Sequence, residues 1–144
     1  MIRVEYMNVG ESGDRCHEFL ELCRSEGVGV AFTGEAAAYR NGGTMTIVGY
    51  NIMLRWGKGY RVVAYVTVAC KGKMKLTYQN KQLVILGLED KVIAGTYGNS
   101  KASRKGYQRW LKGIQKHMGR KEGVIMGDWN VHHRIWACKG NSVI

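Results

Sequence analysis

The sequence contains no C-x-x-C pair, no long apolar run and no proline. Its four cysteines, Cys16, Cys23, Cys70 and Cys138, are scattered along 144 residues, which argues against a disulfide framework and against a structural zinc site. No apolar run reaches the roughly 20 residues of a membrane-spanning helix, and the first residues lack the apolar core of a secretory signal. We therefore expect an intracellular, non-secreted chain with free thiols and no membrane partner. The absence of proline has no physical explanation that we can offer.

Acidic residues are also scarce. The chain has 11 of them against 22 Lys and Arg, a formal net charge of +11, which favours a polyanionic partner such as nucleic acid or an anionic membrane surface. None lies between Asp90 and Glu122, where basic residues recur: Lys91, Lys101, Arg104, Lys105, Arg109, Lys112, Lys116, Arg120 and Lys121. A solvated helix face explains such a run equally well.

Hydrophobic residues make up 45% of the chain, enough for one core, and no change in composition marks a boundary, so we expect a single domain over residues 1–144. Alternating or continuous apolar patterns predict strands at 2–7, 28–32, 46–54, 60–69, 82–88, 91–97 and 123–127. Residues 71–81 receive no assignment. This order predicts a layered α/β or α+β sandwich with helices packed outside the sheets.

Two helices are predicted from apolar stripes at helical spacing. The first begins at a cap on Ser12 or Asp14, carries Cys16, Phe19, Leu20 and Cys23 on one side, and ends near Gly27. The second covers 104–118, and its apolar side consists of Tyr107, Trp110, Leu111, Ile114 and Met118. We expect both stripes to lie in the core.

Polar residues follow several of the predicted strands, namely Asn8, Glu35, Tyr97, Asp128 and Asn130. An extended chain through Asp128-Trp129-Asn130 would place the carboxylate and the carboxamide on one side and the indole on the other. Such a pair can accept a proton from water and hydrogen-bond a phosphoryl oxygen, and Glu35 suits Mg²⁺ or Mn²⁺. The alternative is that Asp128 and Asn130 only make turn hydrogen bonds.

Four segments carry a resemblance to a known family. They are Tyr6-Met7-Asn8-Val9, Phe32-Thr33-Gly34-Glu35, Gly95-Thr96-Tyr97, and 124–133 (Val-Ile-Met-Gly-Asp-Trp-Asn-Val-His-His) followed by Trp136. In this order and at this spacing they resemble the endonuclease/exonuclease/phosphatase superfamily, most closely the endonuclease domains of non-long-terminal-repeat retrotransposons. The last segment is the most specific of the four.

The resemblance implies a four-layer α/β/β/α sandwich of the DNase I-like type that hydrolyses DNA phosphodiesters with Mg²⁺ or Mn²⁺. It implies that Glu35 and Asn8 serve the metal, that Tyr97 contacts the phosphate, that Asp128 aligns or deprotonates the water, and that Asn130 assists at the transition state. The metal would stabilise charge on phosphate oxygens. DNA is the implied partner, and a nuclear location follows.

Further residues are implied as accessory or DNA-contacting. His132 and His133 match the paired histidines of the retrotransposon branch, with a structural or DNA-facing role as well supported as a catalytic one. In the basic run, Lys101, Arg104 and Lys105 are the candidates for phosphate contact.

The sequence departs from the family in three places. Gly34 stands where many members carry Gln, and Gly10 stands where abasic-site repair enzymes carry a second acidic residue. The family's late Ser-Asp-His segment does not occur here. The chain is therefore expected to match the N-terminal two-thirds of the domain, incomplete at its C-terminus, with activity reduced or lost. A reverse transcriptase domain in the parent element and self-association through exposed sheet edges are also expected.

Two other functions remain open at this point. A basic remnant could bind nucleic acid without any chemistry, and its binding would then fall with salt and ignore Asp128→Ala. A phosphatase or lipid phosphodiesterase could use the same fold, because a fold does not decide its substrate.

Overall fold

The computed structural model describes residues 1–36, 47–53, 59–99 and 101–130. In chain order its elements are β1 (Val4–Asn8), α1 (Gly13–Ser25), β2 (Val30–Gly34), β3 (Tyr50–Met53), β4 (Val62–Thr67), α2 (Val68–Lys71), β5 (Lys75–Gln79), β6 (Leu83–Leu88), β7 (Lys91–Tyr97), α3 (Arg104–Met118) and β8 (Glu122–Asp128). No helix within these ranges is long and apolar enough to cross a membrane.

The strands form two sheets of four. The first sheet has the order β1-β2-β4-β3 and the second the order β5-β6-β7-β8. In the first sheet β1 and β2 are parallel, as expected for strands joined by a helix, and β4 is antiparallel to both β2 and β3. In the second sheet β6 and β7 form an antiparallel hairpin from the strands predicted at 82–88 and 91–97, and β8 returns parallel to β7 after α3.

Three apolar layers hold the elements together. The inter-sheet layer joins Phe32 and Val66 of the first sheet to Leu86 and Ile93 of the second. Gly95 allows this close approach, because a Cβ there would lie 2.4 Å from the Phe32 ring. The apolar stripe of α1 packs on the outer face of the first sheet, and that of α3 packs on the outer face of the second. The predicted four-layer α/β/β/α sandwich is thus confirmed.

The helices agree with the sequence patterns in detail. Ser12 caps α1 by accepting a hydrogen bond from the Arg15 backbone N–H, and the four stripe residues of α1 are buried. Helix α3 covers the predicted residues, with Trp110 and Ile114 buried beneath it.

One predicted strand had the wrong end, and one strand of the structure was not predicted. The strand predicted over 60–69 ends at Thr67, whose side chain accepts from the Cys70 N–H and starts the short helix α2. The unassigned stretch 71–81 contains β5, whose exposed Lys75 and Thr77 give it little apolar character. A strand at the outside of its sheet can carry such a polar face.

Candidate active site

The polar strand ends meet at one edge of the two sheets. Strands β1 and β2 of the first sheet and β7 and β8 of the second finish there, and they carry Asn8, Glu35, Tyr97 and Asp128. Because β1 is parallel to β2 and β7 is parallel to β8, each pair presents both of its C-terminal ends at the same edge. Residues far apart in the chain are thereby brought into hydrogen-bonding contact.

Asn8 and Asp128 join the two sheets directly. The Asn8 Nδ2 group donates to Asp128 Oδ2 at 3.2 Å, although the residues are 120 positions apart. The other end of the amide, Oδ1, accepts from the Gly10 backbone N–H at 2.9 Å. This second bond selects the orientation of the amide, so that its N–H rather than its oxygen faces the carboxylate.

Tyr97 and Glu35 make the second contact between the sheets. The Tyr97 hydroxyl donates to Glu35 Oε1 at 2.7 Å. Burial, together with the Glu35 hydrogen bond, raises the pKa of Tyr97 above its usual value, against an opposing effect of Arg61. Tyr97 therefore stays protonated at neutral pH and acts as a hydrogen-bond donor.

Glu35 has an unusual backbone conformation. Its φ of 45° lies in the left-handed region, which costs a residue with a Cβ roughly 1–2 kcal/mol. Its carbonyl accepts from the Glu11 N–H at 2.7 Å, which holds the conformation in place. Strain of this kind clusters at functional sites. Here the strained residue is the one whose carboxylate meets the Tyr97 hydroxyl.

Asn130 is not placed as predicted. The strand ends at Asp128, and Asn130 has a φ of 46°, so the extended chain expected through Asn130 is wrong. The cause is a local bond: Asp128 Oδ1 accepts from the Asn130 backbone N–H at 3.0 Å and turns the chain. The Asn130 Nδ2 group donates to the Gly98 carbonyl in a short bond. Asp128 therefore makes both a turn bond and the inter-sheet bond to Asn8.

Tyr6 also lies at this edge, although neither the sequence pattern nor the family resemblance gave it a role there. Its hydroxyl is buried next to the Asp128 backbone. Burial raises the pKa of Tyr6, the nearby Asp128 backbone partly offsets this effect, and the Asp128, Tyr97 and Glu35 side chains add to it. Tyr6 lies two residues before Asn8 on β1, so strand alternation alone would have placed it on the same face.

Gly34 provides the space that the Tyr6 side chain occupies. A Cβ on Gly34 would lie 1.9 Å from the Tyr6 hydroxyl oxygen. The tyrosine from β1 thus fills the position into which a side chain at residue 34 would project. Many members of the family that the sequence resembles carry Gln at this position, and here Tyr6 occupies the space that such a side chain would take.

Arg61 is a second residue at this edge that the sequence patterns did not indicate. Its guanidinium carbon lies 5.2 Å from the centroid of the Tyr97 ring, within the range of a cation–π interaction. Its NH1 group donates to Glu11 Oε1 at 2.7 Å. Arg61 immediately precedes β4, and no pattern in its neighbourhood of the sequence indicates a role at this edge.

The donors at this edge fit a hard divalent cation. The described residues contain no cluster of three or more His, Cys, Asp or Glu side chains, so a metal would be held by few protein ligands. Mg²⁺ commonly binds through one or two carboxylates and keeps several waters. The Glu35 carboxylate and the Asn8 amide, which stand at the ends of the paired strands β2 and β1, are a donor set of that kind.

The basic candidates lie next to this edge. Lys101 lines a groove that also contains Glu35 and Tyr97, and Arg104 and Lys105 are exposed in the first turn of α3. His132, His133 and Trp136 lie outside the described residues. Their predicted roles stay predictions.

Comparison with known proteins identifies the fold. No family profile and no curated protein sequence matches the chain. Among solved structures, the endonuclease domain of TRAS1, a telomere-specific non-LTR retrotransposon, is similar with a TM-score of 0.71 and 17% identity, over 96% of this chain and 64% of that one. An AP endonuclease from Archaeoglobus fulgidus is similar with a TM-score of 0.60 and 17% identity, over 93% of this chain and 62% of that one.

A third solved structure shares the same arrangement. The humanized D. rerio TDP2 is similar with a TM-score of 0.58 and 16% identity, over 92% of this chain and 64% of that one. This chain therefore spans less than two thirds of the length of the structures it matches. At these identities the similarity establishes the architecture alone: the chain has the DNase I-like fold that these structures share.

Proposed function

We propose that this chain hydrolyses phosphodiester bonds of DNA as a metal-dependent endonuclease of the retrotransposon type. The observation that carries the proposal is the pair of inter-sheet contacts, Asn8 to Asp128 and Tyr97 to Glu35. They gather two carboxylates, an amide and a phenol at one edge of a fold that a retrotransposon endonuclease domain also has. A TDP2 structure of this fold contains a single-strand DNA product, which supports DNA as the substrate.

Asp128 is the base in this proposal. Its two oxygens accept hydrogen bonds from Asn8 and from the Asn130 backbone, and a carboxylate has further lone pairs with which it can bind a water. The two bonds hold the carboxylate in one orientation, so it can take a proton from a water aligned with phosphorus. Asn8 and Asn130 act as positioning groups for that carboxylate.

Tyr97 and Glu35 serve the phosphate side. The protonated Tyr97 hydroxyl can rotate from Glu35 to a non-bridging phosphate oxygen, because a phenol turns about its C–O bond. Asn130 has a second amide N–H beyond the one bonded to Gly98, and this N–H is available to the phosphate. A bound Mg²⁺ or Mn²⁺ on Glu35 and Asn8 would supply positive charge for the phosphate oxygens.

Plasmid nicking tests the proposal. Supercoiled plasmid is incubated with the folded chain and Mg²⁺, with and without EDTA, and the same is done with Asp128→Ala and the isosteric Asp128→Asn. We expect nicking that needs metal and that falls by about 10²-fold or more in both variants, as for loss of other groups that act in a transition state.

The matched control is Asp90→Ala. Asp90 is exposed in the turn between β6 and β7, at the end of the second sheet opposite Asp128. Asp90→Ala should nick as the wild type does. Metal-independent nicking, or equal rates for Asp128→Ala and Asp90→Ala, contradicts the proposal. A folded chain that binds DNA without nicking it is a non-catalytic binding module instead.

A further inference from the structure

A groove leads away from the candidate active site toward α3. Its first part, of about 610 Å³, has Glu35 and Tyr97 at one end and Arg61, Lys81 and Lys101 along its sides. Gln82 and Asn99 line this part and also a second hollow of about 280 Å³ at the start of α3. A third hollow of about 310 Å³, which shares Gln82, continues along the helix to Arg109. The three hollows adjoin one another through these shared lining residues, and together they form the groove.

The charge along this depression has one dominant sign. Arg61, Lys81, Lys101 and Arg109 line it, and Glu35 at its active-site end is the one acidic residue among its described lining residues. Arg61 is held in place by Glu11 and by the Tyr97 ring. A guanidinium has five N–H donors, so its bonds to Glu11 and Tyr97 leave others to face the groove.

The N-terminus of α3 adds to this positive potential. Ala102, Ser103 and Gly106 line the second hollow, which places the positive end of the helix dipole at the groove. The first turn contains no acidic residue, and Arg104 and Lys105 are exposed within it. Cations at this end of the helix are repelled by the positive end of its dipole. A bound anion reduces that repulsion.

Helix α3 lines the groove with two glycines as well as with Tyr107 and Trp110. Gly106 and Gly113 both line it, seven residues apart on one side of the helix. A Cβ on Gly113 would meet no atom within 4 Å, so packing does not require glycine there. Glycine in a helix interior costs roughly 1 kcal/mol relative to alanine. The space that it leaves widens the groove beside Arg109.

We propose that this groove holds the DNA backbone on one side of the scissile phosphate, running from Glu35 and Tyr97 past Lys81 to Arg109 on α3. The inference rests on the proposed function for its starting point. It adds the direction in which the strand leaves the active site and the residues that contact its phosphates. Neighbouring phosphates lie against Arg61, Lys81 and Lys101, and more distant ones against the N-terminus of α3 and Arg109.

The test measures binding without chemistry. A fluorescent duplex oligonucleotide is titrated with Asp128→Asn in EDTA, over a series of salt concentrations, and anisotropy is recorded. The groove variant adds Lys81→Gln and Arg109→Gln. The control adds Lys75→Gln and Lys91→Gln instead, two exposed lysines at the opposite end of the second sheet. Both combinations remove the same charge.

We expect the groove variant to lose roughly eightfold in affinity for each contact at about 0.1 M salt, with the salt slope reduced by about 0.9 per contact. The control should stay within about twofold of the parent. Equal losses in the two combinations, or no binding by the parent, overturn the inference. Thermal unfolding of all three proteins verifies that they are folded.

Failure of this inference is distinguishable from failure of the proposed function. Metal-dependent nicking by the wild type, with unchanged binding by the groove variant, overturns the groove alone. Lost binding by the groove variant, with no nicking by the wild type, overturns the proposed chemistry and leaves the DNA-binding groove.

Discussion

At the scale of single residues, Tyr6 and Gly34 depend on each other. The Tyr6 hydroxyl lies where a side chain at position 34 would begin, and both residues belong to paired parallel strands of the first sheet. The Tyr6 hydroxyl is buried beside Asp128 and Glu35. A change at position 34 therefore reaches this edge through Tyr6.

We predict that Gly34→Ala destabilises the chain by about 1–3 kcal/mol, because the new methyl group overlaps the Tyr6 side chain. Tyr6→Val added to Gly34→Ala should recover part of that loss, since it removes the overlapping ring. Urea unfolding of the two single variants and the double variant measures the coupling. Strictly additive free energies would contradict the proposed overlap.

At the scale of elements, α3 is the clearest case of local sequence control. Ser103 has extended backbone angles and accepts a hydrogen bond from the Gly106 N–H at 3.1 Å. It thereby satisfies one of the free N–H groups at the start of the helix. The apolar stripe of the helix then packs Trp110 and Ile114 onto the second sheet.

We predict that Ser103→Ala lowers the unfolding free energy by about 1 kcal/mol, because the cap is lost. Ser103→Asp should retain the cap and gain from the helix dipole. Ser25→Ala is the control, since its exposed hydroxyl bonds only to Leu22 of its own helix. Thermal unfolding of the three variants tests this, and a loss in Ser103→Asp as large as that in Ser103→Ala would exclude capping as the cause.

The least accurate predictions concern strands that are partly exposed to solvent. Strand β5 was not predicted because its exposed residues are polar, whereas the largely buried strands β2 and β4 were found from their apolar runs. The end of β4 was predicted two residues too late. The Thr67 side chain caps the start of α2, and this helix replaces the continuation of the strand. Periodicity detects burial, and it is least informative where an element is half exposed.

At the scale of the whole molecule, tyrosine burial links stability to pH. Burial raises the pKa of Tyr50 to about 12, and its hydroxyl donates to the Val28 carbonyl at 2.7 Å. Burial also raises the pKa values of Tyr6 and Tyr97. A folded-state pKa above the unfolded value means that the unfolded chain releases its protons first as the pH rises. This stabilisation is complete below pH 10 and is lost above it.

We predict that the unfolding free energy decreases between pH 10 and pH 12, by up to about 1.4 kcal/mol per pH unit for each such tyrosine. Tyr50→Phe should reduce that slope, and at pH 7 it should cost about 1 kcal/mol from the lost hydrogen bond. Urea unfolding at pH 7, 9, 10 and 11 measures both. The comparison with Tyr50→Phe separates this tyrosine from lysines that titrate in the same range, and parallel profiles would contradict the prediction.

The sequence by itself determined the two long helices, the buried strands and the set of polar strand ends. Helix stripes and apolar runs depend on residues close together in the chain, so periodicity is sufficient to find them. The polar residues of the site were identified from their positions after apolar strands and from the family resemblance. They are Asn8, Glu35, Tyr97 and Asp128.

Only the tertiary structure decided which of these residues touch. The Asn8–Asp128 bond spans 120 positions, and it depends on how two sheets pack, which no local pattern specifies. The same packing brought Tyr6 against Gly34, set Arg61 over Tyr97, and turned the chain at Asn130 away from the predicted extended form. Local propensity selects elements, whereas long-range burial selects the contacts between their ends, and the candidate active site consists of such contacts.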